Sequence, residues 1–342
     1  MWLSAYPVQY RTADNELMAQ TQNEIRQMLE ESGLKPQRMF GQNFLVDHNL
    51  LRAVVELSGV GPGDCVLEVG PGTGTLTDEL LEAGATILAV EIDHGLFRLL
   101  SQRYADQPRV KLMRADVLAS KHHINEEVLA AARELSPAGV HLVSNLPYNI
   151  ATPLIADCLL QSLAAARGEK DAVNFLRLTV TIQREVAQRL MAQADEEAYG
   201  PASVLVALLA KVEAGKKLPS TAFWPTPSVV SQMIRIDPVA PPREVLGDAA
   251  VLRQLVNWAF SHRRKKIIST GRRKSAPFAA EAVEAALAAA GVDPDSRPER
   301  ITPGQFAQMA AALSEAGGPR LEAGAPAEKK PKKENEEAAQ DE

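Results

Sequence analysis

Val66-Leu67-Glu68-Val69-Gly70-Pro71-Gly72-Thr73-Gly74-Thr75-Leu76-Thr77 runs from an apolar stretch through closely spaced glycines into a helical pattern. Such glycines free φ and remove Cβ atoms, so backbone can approach a ligand, and the helix that follows offers N–H groups at its start. The stretch predicts a buried strand, a ligand-binding turn at Gly70 and Gly72, and a helix, the opening unit of a doubly wound α/β sheet. The dinucleotide fingerprint wants a third glycine three residues after the second, and that place holds Thr75. NAD is thereby disfavoured, not excluded.

Further strand ends carry polar groups. Ile87 to Val90 ends in Glu91, about 20 positions after Gly70, where a carboxylate can hold two ribose hydroxyls; an ordinary exposed strand-end acid is the other reading. Val110 to Met113 leads to Ala115-Asp116-Val117-Leu118, and Asp116 can accept from an adenine amino group. Val140 to Ser144 runs into Asn145-Leu146-Pro147-Tyr148. There the Asn145 side-chain oxygen and the carbonyl of Leu146 or Pro147 can accept both hydrogens of an exocyclic amine, with Tyr148 as a stacking face. Asn and Pro equally favour a plain turn after a strand. Ligands of open α/β sheets collect beyond the carboxyl ends of the strands, so Gly70, Glu91, Asp116 and Asn145 are expected to converge on one crevice. Together they read as a site for S-adenosylmethionine with an amine acceptor beside the sulfonium.

With these motifs in this order, the sequence resembles the KsgA (RsmA) family of ribosomal RNA adenine dimethyltransferases from residue 36 to residue 315. Besides VLEVGPGTGTLT, VEID, ADVL and NLPYNIATPLI, the likeness rests on Phe40-Gly41-Gln42-Asn43-Phe44-Leu45-Val46-Asp47, Gln183 to Leu190, Tyr199-Gly200, Phe223-Trp224-Pro225-Thr226-Pro227-Ser228-Val229 and Phe260-Ser261-His262-Arg263-Arg264-Lys265-Lys266. The resemblance implies a Rossmann-like class I methyltransferase sheet with a smaller C-terminal all-α domain. It implies transfer of two methyl groups from S-adenosylmethionine to N6 of each of two adjacent adenosines near the 3′ end of small-subunit (16S) ribosomal RNA, during ribosome biogenesis on the pre-30S particle. By the same resemblance Asn43 and Leu45 lie against the methionine end of the cofactor. Family members usually carry Gly-Asp-Ala-Leu where this chain has Ala115 to Leu118, and a diproline at Pro219-Ser220; neither departure touches a proposed polar contact. The Erm large-subunit enzymes share fold and chemistry, but the NLPYNIATPLI wording and the RRKK-bearing domain favour KsgA. A non-catalytic assembly or transcription factor would not need an intact Asn145 and glycine turn, and a DNA adenine methyltransferase normally presents an acid in place of Asn145.

Phe223 is the expected second ring against the target base, though an aromatic between prolines serves equally as a packing anchor. The connection from Asp116 to Asn145, with His122, His123 and Val128 to Leu135, reads as a surface insertion on a crossover helix.

The chain has 342 residues, 46% of them hydrophobic, enough for one large core and a smaller one. Cys65 and Cys158 lie in apolar segments and read as core thiols, and the histidines lack ligand spacing, so neither disulfide nor metal site is expected. No apolar run reaches membrane-spanning length and the first residues lack a secretory pattern, so a cytoplasmic location is expected. The net charge of −6 looks adverse to RNA binding, yet Arg263, Arg264, Lys265, Lys266, Arg272, Arg273 and Lys274 follow one another without an acid between them, and Lys35 and Arg38 precede the GQNFL motif. These suit phosphate contacts on RNA; a solvated helix face is the alternative. The expected organisation is a helical extension over 1–36 with its pattern around Glu16 to Glu31, a methyltransferase domain over 37–240, an α-helical RNA-binding domain over 241–316, and a disordered tail over 317–342, in a protein monomeric off the ribosome. Phe175 to Ile182 and Val229 to Ile236 are expected as strands, and Val251 to Phe260, Ala276 to Ala290 and Pro298 to Leu313 as helices.

Overall fold

A computed structural model describes residues 21–37, 41–120, 123–273 and 276–318. Its strands are β1 Phe44–Leu45, β2 Cys65–Val69, β3 Thr86–Glu91, β4 Val110–Arg114, β5 Leu118–Ser120, β6 His123–Ile124, β7 Val140–Asn145, β8 Phe175–Gln183, β9 Ala210–Leu218, β10 Phe223–Trp224 and β11 Ser231–Pro238. The helices are α1 Gln22–Glu31, α2 His48–Ser58, α3 Thr75–Glu82, α4 His94–Arg103, α5 Glu126–Leu135, α6 Ala151–Ala166, α7 Arg184–Met191, α8 Pro201–Leu209, α9 Arg243–Leu246, α10 Ala249–Ser261, α11 Ile267–Gly271, α12 Ala280–Ala289 and α13 Pro303–Glu315.

Seven strands form the central sheet in the order β4-β3-β2-β7-β8-β11-β9. The first five pair in parallel, while β11 runs antiparallel to both β8 and β9. Helices cover both faces, which is why β2, β3, β7 and β8 read as nearly unbroken apolar runs. The order reverses between β2 and β7, so the turn after β2 and the segment after β7 open side by side at the switch point of the sheet. The strand expected over Val229 to Ile236 begins at Ser231. Sequence reading missed β9 because it is the sheet edge: its exposed lysines Lys211, Lys216 and Lys217 guard an open edge instead of alternating with a buried face.

The connection from Asp116 to Asn145 is no surface insertion. It holds the short β5–β6 hairpin and then α5, whose Val128, Leu129 and Ala132 are buried, so α5 is the crossover helix itself. Asn125 caps it by accepting from the Glu127 N–H. His122 lies outside the described residues, as do Arg38, Phe40, Lys274, the expected pattern from Glu16 to Gln20 and the tail from 319 onward.

Helix α1 opens with a Thr21/Glu24 capping box and buries Ile25, Met28 and Leu29 with Phe44, Leu96 and Leu99. After Pro238 the described elements are all helical. The helix expected from Ala276 begins at Ala280, and the segment from Pro298 divides into a turn of 3-10 helix and α13, which Thr302 and Gln305 cap reciprocally. One apolar core runs without interruption from the sheet to these helices, joining Val180 and Leu205 to Leu252 and Phe306. The Tyr199 hydroxyl donates to the Ile301 carbonyl across the same boundary at 2.9 Å.

Candidate active site

Gly70 and Gly72 both hold φ at 66°, a left-handed conformation that a side chain would strain. An ideal Cβ on Gly70 would lie 3.5 Å from Pro147 Cγ, so the glycine turn and the segment after β7 are in contact. The Ser144 hydroxyl ties the two strand ends by donating to the Val69 carbonyl at 2.6 Å. One cleft of about 1060 Å³, counting its open mouth, is lined by Asn43, Leu45, Gly70, Gly72, Glu91, Asp116, Asn145, Leu146, Pro147 and Tyr148. A Cβ on Gly72 would stand 2.8 Å from the Phe44 ring, which is itself stacked on Trp224 with centroids 6.2 Å apart. Gly72→Ala is therefore expected to lower both Tm and cofactor affinity; a thermal melt and a titration with S-adenosylhomocysteine would check this.

Three carboxyls, those of Glu68, Glu91 and Asp116, and no Lys, Arg or His among the described residues line the cleft. Glu91 is 3% exposed; one of its oxygens accepts from the Asp93 N–H at 2.9 Å and the other from the Gly72 N–H at 3.4 Å. Burial pushes its pKa up to about 7. Glu68 lies deeper at 1% exposed, and burial raises it to about 8 although the Thr77 hydroxyl donates to it at 2.6 Å. Neither acid has an ion-pair partner among the described residues. An anionic pyrophosphate would find no Lys, Arg or His partner among the described lining residues, whereas a cation bearing hydroxyls and amines favours the ionised form of these carboxyls. The donor set thus fits S-adenosylmethionine and argues against NAD. Sequence reading passed over Glu68, although a carboxylate in the middle of an apolar strand was its visible signal.

Around the acceptor end, the Asn145 amide donates through Nδ2 to the Asn43 carbonyl at 3.0 Å. Since that carbonyl can only accept, the amide orientation is fixed and Oδ1 is the group left to accept a hydrogen bond. Asn43 in turn donates through its own Nδ2 to the Gly41 carbonyl at 3.0 Å. Of the two backbone candidates, the Pro147 carbonyl already accepts from the Ile150 N–H at 3.2 Å, while that of Leu146 takes no hydrogen bond among the described residues. Leu146 is held in place by its N–H, which donates to the Thr181 carbonyl at 3.1 Å. Tyr148 Oη sits 3.1 Å from Ser231 Oγ, and burial raises its pKa, so the half-buried ring is anchored and neutral.

Phe223 is a correction. At 2% exposed it belongs to the core with Leu45, Leu51 and Met233, and as part of β10 it pairs with Leu45. It packs the GQNFL segment through its pairing with Leu45, and it is not among the residues that line the cleft. Neighbouring Trp224 is engaged by Phe44 and by the Arg26 guanidinium, 5.2 Å from its ring centre.

The basic run also differs from its linear reading. Acids absent from the segment reach it from elsewhere: Glu299 lies 3.7 Å from Arg263, Asp295 2.8 Å from Lys266 and Glu284 2.8 Å from Arg272. Arg264, Lys265 and Arg273 are exposed and form no ion pair among the described residues. They stand at the turn between α10 and α11 and just after α11.

Among the described residues no group of acids, histidines and cysteines could hold a metal, and no helix is long and apolar enough to cross a membrane. Two solved structures share the fold. A dimethyladenosine transferase from Plasmodium falciparum superposes with a TM-score of 0.60 at 20% identity, covering 81% of this chain and 99% of that one. The 23S rRNA methyltransferase ErmE does so with a TM-score of 0.51 at 25% identity, covering 79% and 99%. In sequence the chain is 37% identical over 300 residues to the ribosomal RNA small subunit methyltransferase A of Mycobacterium tuberculosis, covering 86% of this chain and 87% of that protein. It is 38% identical over 288 residues to the protein of the same name from Phenylobacterium zucineum, covering 84% and 91%. The family described as ribosomal RNA adenine dimethylase matches residues 33–315, and with these relatives it establishes that the chain belongs to that family.

Proposed function

We propose that this chain dimethylates N6 of two adjacent adenosines near the 3′ end of small-subunit (16S) ribosomal RNA, with S-adenosylmethionine as methyl donor. The observation that carries the reading is the Asn145 amide, oriented by Asn43 and opening into the same acid-walled cleft as the glycine turn. When bound, S-adenosylmethionine supplies an electrophilic methyl carbon on a sulfonium. Gly70 and Gly72 let backbone approach it, Glu91 takes the ribose hydroxyls, Asp116 the adenine amine, and Asn43 and Leu45 flank the methionine end.

An aryl amine is a poor nucleophile because its lone pair is delocalised into the ring. Asn145 Oδ1 and the Leu146 carbonyl accept hydrogen bonds from its N–H groups, two in the first transfer and one in the second, favour a pyramidal nitrogen, and stabilise the positive charge that develops on it until the nitrogen loses a proton to water. Tyr148 supplies the stacking face that holds the flipped base. Alignment rather than strong base catalysis is the enzyme's contribution. The partner is the pre-30S subunit in the cytoplasm, met by a monomer whose helical segment over 241–316 contacts RNA phosphates.

Of the basic run, Arg264, Lys265 and Arg273 are the groups available for phosphates. Neutralising Arg264 and Lys265 is expected to weaken binding to small subunits and to flatten the slope of log affinity against log salt by about one unit per lost phosphate contact, with cofactor affinity unchanged. An unaltered salt slope would show that this turn faces solvent.

The function is tested by offering the protein labelled S-adenosylmethionine with under-methylated small subunits, large-subunit RNA and duplex DNA. Label is expected in small subunits alone, recovered as N6,N6-dimethyladenosine. Label in none of them, despite tight ribosome binding, would favour a non-catalytic assembly factor.

A further inference from the structure

A buried acid is shared between the sheet domain and the helices that follow it. Asp157 of α6 is 1% exposed. Its Oδ2 accepts from the Ile124 N–H at 2.8 Å, and its Oδ1 accepts from the guanidinium of Arg253 on α10. Arg253 also donates to His123 Nδ1 at 2.8 Å. His123 and Ile124 are strand β6 of the β5–β6 hairpin, whose strands are only three and two residues long with an irregular register. So short a ribbon does not hold itself in place; its position is set by what it is tied to.

On the other side the hairpin is tied to the cleft wall. Asn125 donates through its backbone N–H to the Val117 carbonyl at 2.8 Å and through Nδ2 to the Asp116 carbonyl at 3.3 Å. Asp116 and Val117 line the cleft. A continuous path of hydrogen bonds therefore runs from Arg253 in the helical domain, through Asp157 and the hairpin, to the residues expected to meet the cofactor's adenine. A buried ion pair contributes little net stability compared with an apolar pair of the same size, so a role in fixing geometry is the better account of its presence.

We propose that Arg253 is a positioning residue for the cofactor pocket: through Asp157 it holds the hairpin that is tied by Asn125 to the preceding Asp116 and Val117, so the helical domain sets the adenine end of a site built on the sheet. This rests on the reading of the cleft as an S-adenosylmethionine site.

The test compares wild type with Arg253→Gln, Arg253→Lys and the double variant Asp157→Asn/Arg253→Gln, which removes the buried charge together with its partner and so protects the fold. S-adenosylhomocysteine binding is measured by calorimetry, steady-state kinetics on under-methylated small subunits, and amide exchange across residues 117–125. Arg253→Gln is expected to weaken S-adenosylhomocysteine about tenfold and to speed exchange of the Ile124 amide. It should raise KM for the methyl donor while leaving kcat within about twofold, a split that general loss of folded protein would not produce. Arg253→Lys should recover most of the affinity, and the double variant should show the weakened binding with a Tm near wild type. Unchanged affinity in Arg253→Gln and in the double variant, beside tight wild-type binding, would overturn the role of Arg253. Failure of the wild type itself to bind S-adenosylhomocysteine would instead overturn the cofactor reading.

Discussion

Replacing Asn145 with Ala is expected to lower kcat by about 10²- to 10³-fold, while affinity for S-adenosylmethionine stays within about threefold of wild type. The loss falls on the transition state because the Asn145 oxygen matters most as N6 turns pyramidal and acquires positive charge; cofactor held in the rest of the cleft does not depend on it. Asn145→Asp separates the two jobs of the amide. It keeps an acceptor for the amine but has no Nδ2 to donate to the Asn43 carbonyl, 3.0 Å away in the wild type, and it sets a carboxylate against that carbonyl. Turnover is expected to fall here too, with a looser GQNFL segment. Single-turnover methylation beside a binding isotherm would measure both effects, and unchanged turnover in Asn145→Ala would remove the clamp from the mechanism.

Glu91→Ala is expected to weaken S-adenosylmethionine by about 10²-fold, the loss of two charge-assisted hydrogen bonds to ribose hydroxyls. The pH dependence carries the same claim further. Burial lifts Glu91 to about 7, so below that pH the empty site holds a neutral acid, while a cationic, hydroxyl-bearing ligand prefers the carboxylate. Affinity should therefore rise as pH increases, by about tenfold between pH 6 and pH 8 from this group alone, and binding should release a proton. Glu68 is lifted to about 8, chiefly by burial and to a lesser degree by the charges of Asp78 and Glu91. Because both folded-state values lie above the ordinary value of 4.5, these carboxyls remove stability from the cofactor-free protein as pH rises from about 4.5 towards 8. The rise in Tm on adding S-adenosylmethionine should accordingly be larger at pH 8 than at pH 6. Glu91→Gln should lose most of the pH dependence of binding, and a wild-type affinity flat from pH 6 to pH 8 would contradict the assignment.

The central sheet is legible because its strands are covered on both faces and so are written as apolar runs ending in functional residues: Val66 to Val69 before Gly70, Ile87 to Val90 before Glu91, Val140 to Ser144 before Asn145. The edge strand β9 and the two-residue pair of β1 and β10 are not, since exposed lysines and short ladders carry no such pattern. Position in a motif says nothing of how deeply a ring is covered: Phe223 stands where a stacking ring is expected, and it is 2% exposed in the core with Leu51 and Met233. The basic run misleads for a related reason, because Glu284, Asp295 and Glu299 are brought to it by folding and cannot be seen in the segment itself. The Asn43 carbonyl that orients Asn145, and the bond from Arg253 to Asp157, join residues about a hundred positions apart, and only the fold reveals them.

The most direct measurement is a crystal structure of the protein with S-adenosylhomocysteine and an adenosine acceptor bound together. It should show the acceptor N6 about 3 Å from both Asn145 Oδ1 and the Leu146 carbonyl, with the cofactor ribose on Glu91 and the glycine turn beneath it. Cofactor or acceptor seated in another cleft, or an Asn145 amide turned away from N6, would contradict the account.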